Sequence, residues 1–193
     1  MAYITATELA ANLGTVTDSD PRAQRVVDAA SRAVDNYCRR TFEAPSGSAS
    51  ARDYVVGVFD YLHIHDIANT TDLAITIDPG GTGTDFEAQT LTDWRFMPLN
   101  QLSPTGAYWP YTHVKPIVTP FPVGGLVRIT ANWGWTAVPD DVQEATLLIA
   151  GQLLERHKSA SGLVGIDVGA PAFVSSSLDA NAQTLLAPFR RYP

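Results

Sequence analysis

Apolar and polar positions alternate most regularly between Val127 and Lys158, and this segment predicts the central elements of the chain. Residues 127–133 follow the period of two that is typical of a half-buried strand. After Gly134, Pro139 and two aspartates favour the first turn of a helix, because proline needs no N–H there and carboxylates complement the helix dipole. The apolar positions that follow share one broad helical face: Ala145, Leu148, Ile149, Leu153 and Leu154. The segment therefore predicts a strand, a tight corner and the longest helix of the chain.

Three further helices are predicted from their starting residues. Thr5 and Glu8 have the spacing of a capping box, in which each side chain bonds the backbone N–H of the other residue. A second helix begins near Asp20, which precedes a proline and then apolar residues at spacings of three and four. A last short helix is capped by Ser177 or Asp179 and ends before a proline. With the helix above, the chain has about four.

Short apolar runs separated by turn residues occupy the stretch from 52 to 122. Five of them have the length and composition of strands: 54–59, 61–65, 73–77, 86–91 and 94–97. The glycine-rich turn at 78–83 predicts a hairpin between its neighbours. Each run is too short to be stable alone, so together they predict a small mixed or antiparallel sheet.

The stretch from 100 to 122 is dense in proline and aromatic residues. Proline at this density opposes both a helix and a central strand, so an irregular segment is predicted. More than 20 irregular residues inside a compact domain need a reason. Two explanations stay open: Tyr108, Trp109 and Tyr111 anchor a partner, or the segment packs back on its own sheet.

The composition is acidic, with a net charge of −7 over 193 residues and an isoelectric point near 4.9. An acidic surface repels a nucleic-acid backbone, which argues against a basic DNA-binding face but allows DNA to pass without adhering. Solubility alone explains the charge equally well.

The single cysteine, Cys38, excludes an internal disulfide, and its place beside an apolar helical stripe predicts an inert buried thiol. No apolar run reaches the length of a membrane span, and no charged-then-apolar leader is present. We therefore expect that the protein neither binds a membrane nor is secreted.

His63 and His65 give the strongest indication of metal chemistry. Two histidines at alternate positions of a strand share a face, and imidazole binds zinc or iron. Further ligands are needed, and Asp60, Asp66 and His113 are the candidates. Without a recognisable third-ligand spacing, exposed polar positions on a strand are the commoner explanation, so a metal-dependent enzyme using His63 and His65 is kept as an alternative.

No catalytic motif or cofactor motif is present in the sequence, so we predict that the chain is not an enzyme and holds no cofactor or metal. A second alternative is a sugar- or peptide-binding module that uses Tyr108, Trp109 and Tyr111.

Three segments carry a resemblance to a known family. They are a Gly-Trp corner with Val-Pro-Asp-Asp-Val within 134–142, the helix end at 34–40, and the closing Leu-Leu-Ala-Pro-Phe-Arg-Arg-Tyr at 185–192. Together with the basic end of the long helix, they resemble the head–tail connector (adaptor) proteins of long-tailed bacteriophages. The resemblance is good at both ends of the chain and poor in the middle.

The resemblance implies a structural virion protein that forms a ring, typically dodecameric, beneath the portal protein of a DNA-filled head. Such a ring docks on the portal, presents a surface to the next neck (stopper) or tail-completion protein, and lets DNA pass through its lumen without sequence-specific binding. It implies a place in the virion neck, and in the host cytoplasm during assembly. The expected contacts with the portal or the adjacent subunit are Phe189, Arg190, Arg191 and Tyr192, and the alternative for the arginines is that they are ordinary solvated residues.

The sequence pattern and the resemblance together predict an α+β fold. A small core of about four antiparallel-packed helices is expected, with a β-rich region inserted between the second and third main helices. We expect one connector-like domain over 1–193, with 1–42 and 127–193 as the helical core and 52–122 as the insertion.

Overall fold

The computed structural model describes residues 2–14, 21–45, 47–58, 60–102, 108–158, 163–164, 172–173 and 178–191. The helices are α1 (Ala6–Leu13), α2 (Pro21–Cys38), α3 (Asp140–Lys158) and α4 (Ala180–Leu186), with 3-10 turns at Leu91–Asp93 and Ala187–Phe189. The strands are β1 (Ser50–Val55), β2 (Leu62–Asp78), β3 (Glu87–Ala88), β4 (Trp94–Met97), β5 (Tyr111–Pro116), β6 (Leu126–Trp133), β7 (Leu163–Val164) and β8 (Ala172–Phe173). They divide into a helical unit, from 1–42 and 138–193, and a sheet unit over 43–137. The predicted α+β class, with strands inserted between α2 and α3, is confirmed.

The helical unit is built by α1 to α4 packing through small and branched apolar side chains. Its α1 begins as predicted, because the Glu8 N–H donates to Thr5 Oγ1 at 3.1 Å and the Thr5 N–H donates to Glu8 Oε2 at 2.6 Å. The fully buried alanines let the helix backbones approach closely: Ala23, Ala30, Ala145, Ala150 and Ala182. Tyr3 and Phe42 add an edge-to-face ring contact, with centroids 5.8 Å apart.

The sheet unit is centred on β2, which pairs antiparallel with β6 along one edge and with β5 and then β3 along the other. The strand order is β1-β6-β2-β5-β4. Its core is formed by branched and aromatic side chains at alternate positions of these strands, together with Phe121 from the connection between β5 and β6. The strand residues are Leu62, Ile64, Ile67, Leu73, Ile75, Ile77, Trp94, Val114, Val127 and Ile129. This alternation is the burial pattern expected of strands with one covered face.

The predicted strands at 61–65 and 73–77 are one strand in the structure. The chain does not turn back between them. Instead, the pairing of β2 shifts register between His63 and Ile67, and again between Ile67 and Ala74, where Asp72 adopts φ 56°. The polar residues that separate the two apolar runs in the sequence lie at these irregularities of β2.

The proline-rich segment was predicted to be irregular throughout, and this was wrong for β5. That strand occupies the proline-free interval after Pro110 and has Pro116 as its last residue. Its interior residues all retain an N–H group, so β5 pairs with β2 on one side and β4 on the other. Proline therefore sets the limits of this strand without preventing it.

The corner after β6 depends on Gly134. The residue has φ 122°, its N–H donates to the Asp66 carbonyl at 2.7 Å, and a Cβ here would lie 2.2 Å from the Glu43 carbonyl oxygen. The following Trp135 N–H donates to the same Glu43 carbonyl at 2.9 Å. No side chain fits this corner without moving the backbone.

We expect Gly134→Ala to lower the free energy of unfolding by about 1–3 kcal/mol from backbone strain alone, and further through the contact with Glu43. Urea denaturation of the purified chain measures this loss. Gly47→Ala is the matched control, because a Cβ added there would have no atom within 4 Å and the residue needs no positive φ. Equal stability of the two variants would contradict the role given to Gly134.

The β2–β3 hairpin predicted at 78–83 is confirmed, and the Asp78 carboxylate organises its turn. Its two oxygens accept the N–H groups of Gly80 at 2.9 Å, Gly81 at 3.1 Å and Gly83 at 2.6 Å, and the Thr82 hydroxyl at 3.0 Å. Burial raises the pKa of the Asp78 carboxyl, but these four donors favour its charged form more strongly and hold the pKa below its usual range.

We expect Asp78→Asn to destabilise the chain at pH 7, because an amide N–H₂ would face donors that now bond a carboxylate oxygen. Since the folded-state pKa is depressed, the carboxylate's contribution is complete above the unfolded pKa of about 3.9 and is lost as the pH falls through the folded value. The stability difference from the unmodified chain should therefore shrink below about pH 4. Urea denaturation from pH 7 to 2.5 measures it, with Asp85→Asn, an exposed residue of the same hairpin, as the control. A difference that is constant over this range would argue against the assignment.

Candidate functional site

The predicted C-terminal contact residues begin in the 3-10 turn Ala187–Phe189, directly after α4. The helix starts as predicted at Asp179, whose Oδ1 accepts two first-turn N–H groups at 2.8 and 3.1 Å. The Phe189 ring is buried and meets the Phe42 ring edge to face, with centroids 5.8 Å apart. In this structure Phe189 is thus part of the helical unit's core.

Arg190 and Arg191 lie beside the C-terminal end of α2. The Arg190 side chain is exposed, with its guanidinium carbon 5.3 Å from the centroid of the Tyr37 ring. The Arg191 N–H donates to the Cys38 carbonyl at 2.9 Å. Tyr192 lies outside the described residues. Both residues therefore lie beside the end of α2 in the helical unit, and their role in binding stays a prediction.

Cys38 is fully buried, with Sγ 4.0 Å from the Leu186 carbonyl oxygen. Burial raises the pKa of this thiol to about 12, outweighing the opposing effect of Arg40. The protonated thiol fills space in the core and is a poor nucleophile.

Tyr108 is half-buried against the sheet unit's own backbone. Its hydroxyl donates to the Ala68 carbonyl and accepts a bond of 2.7 Å from Gln101 Nε2. Burial raises its pKa, and the Gln101 bond opposes this only in part. The Trp109 ring meets Trp135 edge to face at 5.3 Å.

Tyr111, the third predicted aromatic anchor, is also half-buried, with its ring 5.6 Å from that of Phe96. Each of the three aromatics thus packs within the sheet unit, which is the second of the two explanations left open for this segment. Partner binding by them stays a prediction.

The two histidines of the predicted metal motif contact different neighbours. His63 pairs directly with His113 across β2 and β5, with ring centroids 4.3 Å apart, and the Tyr61 ring lies edge-on to both. His65 is bonded through Nδ1 to the Tyr54 hydroxyl at 2.8 Å. A second histidine ligand for a metal at His63 would therefore come from His113 rather than from His65.

Of the other proposed ligands, Asp66 is buried and its Oδ2 accepts the Trp135 indole N–H at 3.1 Å. Asp60 lies on the rim of a groove described below. Within the described residues, no group of three or more His, Cys, Asp or Glu side chains is placed to hold a metal ion.

A groove of about 300 Å³ is a surface feature that sequence reasoning missed. It lies in the sheet unit, where the chain leaves β1 and where it leaves β5. We use the name "apolar groove" for the surface formed by Val58, Ile117, Val118, Pro120, Phe121 and Val123. The available signal was the spacing of apolar residues between prolines in 116–123, a segment that no strand pattern explains.

Among the described residues, no helix is both long and apolar enough to cross a membrane.

The chain has the fold of neck proteins from phage-like particles. It is similar to a chain in the neck of the empty gene transfer agent (GTA) particle, computed with C6 symmetry, with a TM-score of 0.53 and 17% identity over 99% of this chain and 91% of that one. It is also similar to a chain in the neck of the native GTA particle, computed with C12 symmetry, with a TM-score of 0.51 and 17% identity over 97% and 88%. No protein-family model and no curated protein matches the sequence. The predicted resemblance to head–tail connectors is thereby confirmed at the level of the fold.

Proposed function

We propose that this chain is a structural neck protein of a tailed bacteriophage or phage-like particle. In this proposal it forms a ring, a dodecamer in the virion, beneath the portal. It joins the DNA-filled head to the next neck (stopper) or tail-completion protein. The observation that carries the proposal is the shared fold with GTA neck chains, which extends over 99% of this chain in one comparison.

The extent of the similarity matters because the sheet unit is the part with the weakest sequence resemblance. A similarity limited to α1–α4 would fit any small bundle, since helices of this length pack in few ways. Here one comparison spans both the helices and the inserted sheet, so the insertion belongs to the shared architecture. The C6 and C12 symmetries of the compared necks favour a ring of identical copies.

The surface chemistry supports a structural rather than a catalytic role. The paired histidines contact aromatic neighbours, the thiol is buried and protonated, and the net charge is −7. A ring of acidic chains would repel the DNA backbone, so DNA would pass through the lumen without adhering. Such a protein would be found in the host cytoplasm during assembly and in the neck of the finished particle.

Deleting the gene should leave DNA-filled or leaking heads separate from finished tails, because the ring that joins them is missing. Electron microscopy of lysates from the deletion strain shows this directly, and supplying the intact gene from a plasmid should restore joined, infectious particles. Joined and infectious particles from the deletion strain would overturn the proposal.

Arg190→Gln with Arg191→Gln should prevent the chain from joining heads to tails while leaving it folded. The exposed cation–π contact of Arg190 with Tyr37 contributes only about 0.5–1 kcal/mol to stability, whereas a portal contact would lose two positive groups at once. Truncation is a poorer test here, because it would also remove the buried Phe189.

Complementation of the deletion strain, scored as plaque-forming or gene-transferring particles, measures the effect. The matched control is Arg22→Gln with Arg25→Gln, which removes the same charge from the exposed side of α2 in the same unit. Wild-type titres from the Arg190/Arg191 variant would remove the C-terminal arginines from the proposed portal contact.

A further inference from the structure

Three side chains that carry metal-binding atoms form one row across the sheet unit. His63 of β2 lies directly opposite His113 of β5, and His113 lies directly opposite Met97 of β4. Directly opposite residues of antiparallel strands point to the same face of the sheet, with Cβ atoms about 4.5–5.5 Å apart. His63 and Met97 are exposed and His113 is half-buried. Two imidazoles and a thioether are therefore neighbours on the solvent side of the sheet.

The two histidine rings have nearly the spacing that a shared metal ion requires. Two imidazoles that bind one ion at about 2.0–2.1 Å, with an angle of about 90–110° at the ion, have ring centroids about 4.5–5 Å apart. The centroids of His63 and His113 are 4.3 Å apart. The Nδ1 atom of His113 is bonded to the Thr112 hydroxyl at 2.7 Å, and the second nitrogen of a metal-binding histidine is commonly held by such a bond. The ligand atom of His113 would therefore be Nε2.

The third side chain of the row favours one class of metal. Among the described residues, no third His, Cys, Asp or Glu joins the pair, so the Met97 thioether is the further ligand that the sheet register supplies. A thioether is a soft ligand that selects copper(I), whereas imidazole binds several transition metals.

The charges in the next row of the same face favour the same metal. Arg95 and Lys115 lie opposite each other two residues along β4 and β5, and both are exposed. Their repulsion of a bound cation increases with the charge of that cation, so a monovalent ion is less disfavoured there than a divalent one.

We propose that His63, His113 and Met97 bind a copper(I) ion on the exposed face of the sheet unit. The proposal departs from the prediction that the chain holds no metal, and it leaves out His65, whose Nδ1 is bonded to the Tyr54 hydroxyl. It is independent of the proposed neck function, because it uses only the register of β2, β4 and β5.

Competition for copper(I) under anaerobic conditions measures the binding. The purified chain is added to copper(I) held by the coloured chelator bathocuproine disulfonate, and the loss of absorbance reports transfer of copper to the protein. We expect His63→Asn, His113→Asn and Met97→Leu each to weaken the affinity about tenfold or more, because each removes one ligand. His65→Asn is the matched control, since it removes a histidine from the same strand, and it should bind like the unmodified chain.

Two further measurements separate loss of the site from loss of the fold. Copper(I) should raise the melting temperature of the unmodified chain and leave that of the His63→Asn variant unchanged, provided that the two metal-free chains melt alike. The X-ray absorption spectrum of the copper-loaded chain should show nitrogen and sulfur neighbours, and Met97→Leu should remove the sulfur.

The site would be overturned if the unmodified chain takes no copper from the chelator, or if the variants of His63 and His113 take it equally well. A sulfur neighbour that persists in Met97→Leu would remove the thioether from the ligand set, and tighter binding of zinc than of copper(I) would overturn the choice of metal. None of these results bears on the proposed neck function, which the deletion strain tests separately.

Discussion

The backbone contact around Gly134 is the constraint on which the sheet unit depends. The chain enters the unit at Glu43 and leaves it after Trp135, and these two points are joined by a hydrogen bond of 2.9 Å. Asp66 completes the contact from β2, through its carbonyl to Gly134 and its carboxylate to the Trp135 indole. An insertion whose ends meet can be accommodated between α2 and α3 without separating the helices that flank it, which pack together in the helical unit. Because Gly134 has no Cβ, the two ends of the sheet unit can approach each other this closely.

The parts of the fold that were predictable are those whose signals are local. The capping box of α1, the cap of α4, the start of α3 and the alternation of β6 depend on residues within a few positions of each other, and the structure has all four elements. The continuity of β2 was not predictable, because Asn69 and Asp72 have the local character of a turn, and the pairing with β6 resumes after the irregularity at these residues. The strand β5 was missed for a related reason: proline density was averaged over a segment in which six residues suffice for a strand.

The residues of the candidate site also fall into those that local sequence predicts and those that depend on pairing between distant segments. A buried Cys38 follows from its helical stripe, and the structure places it in the core. The pairing of His63 with His113 depends on the register of β2 and β5, which are far apart in sequence, so the motif of alternate histidines directed attention to the wrong partner. The apolar groove is likewise assembled from two distant segments, and only one of them looks unusual when read alone. Surface grooves are harder to predict than cores, because no periodicity marks them.

Under the proposed function, charge limits how closely the acidic surfaces of neighbouring copies can approach. Each chain carries a net charge of −7, and electrostatic repulsion between exposed groups extends over about 8 Å at physiological ionic strength. Two acidic surfaces brought within that distance repel each other, whereas an apolar contact with balanced charge does not, and the stabilisation it gains from buried area is not screened by salt. Contacts between copies in such a ring would therefore be favoured where charge is balanced and apolar surface is buried. The same acidity that restricts the contacts between copies would keep the DNA in the lumen from adhering to the wall.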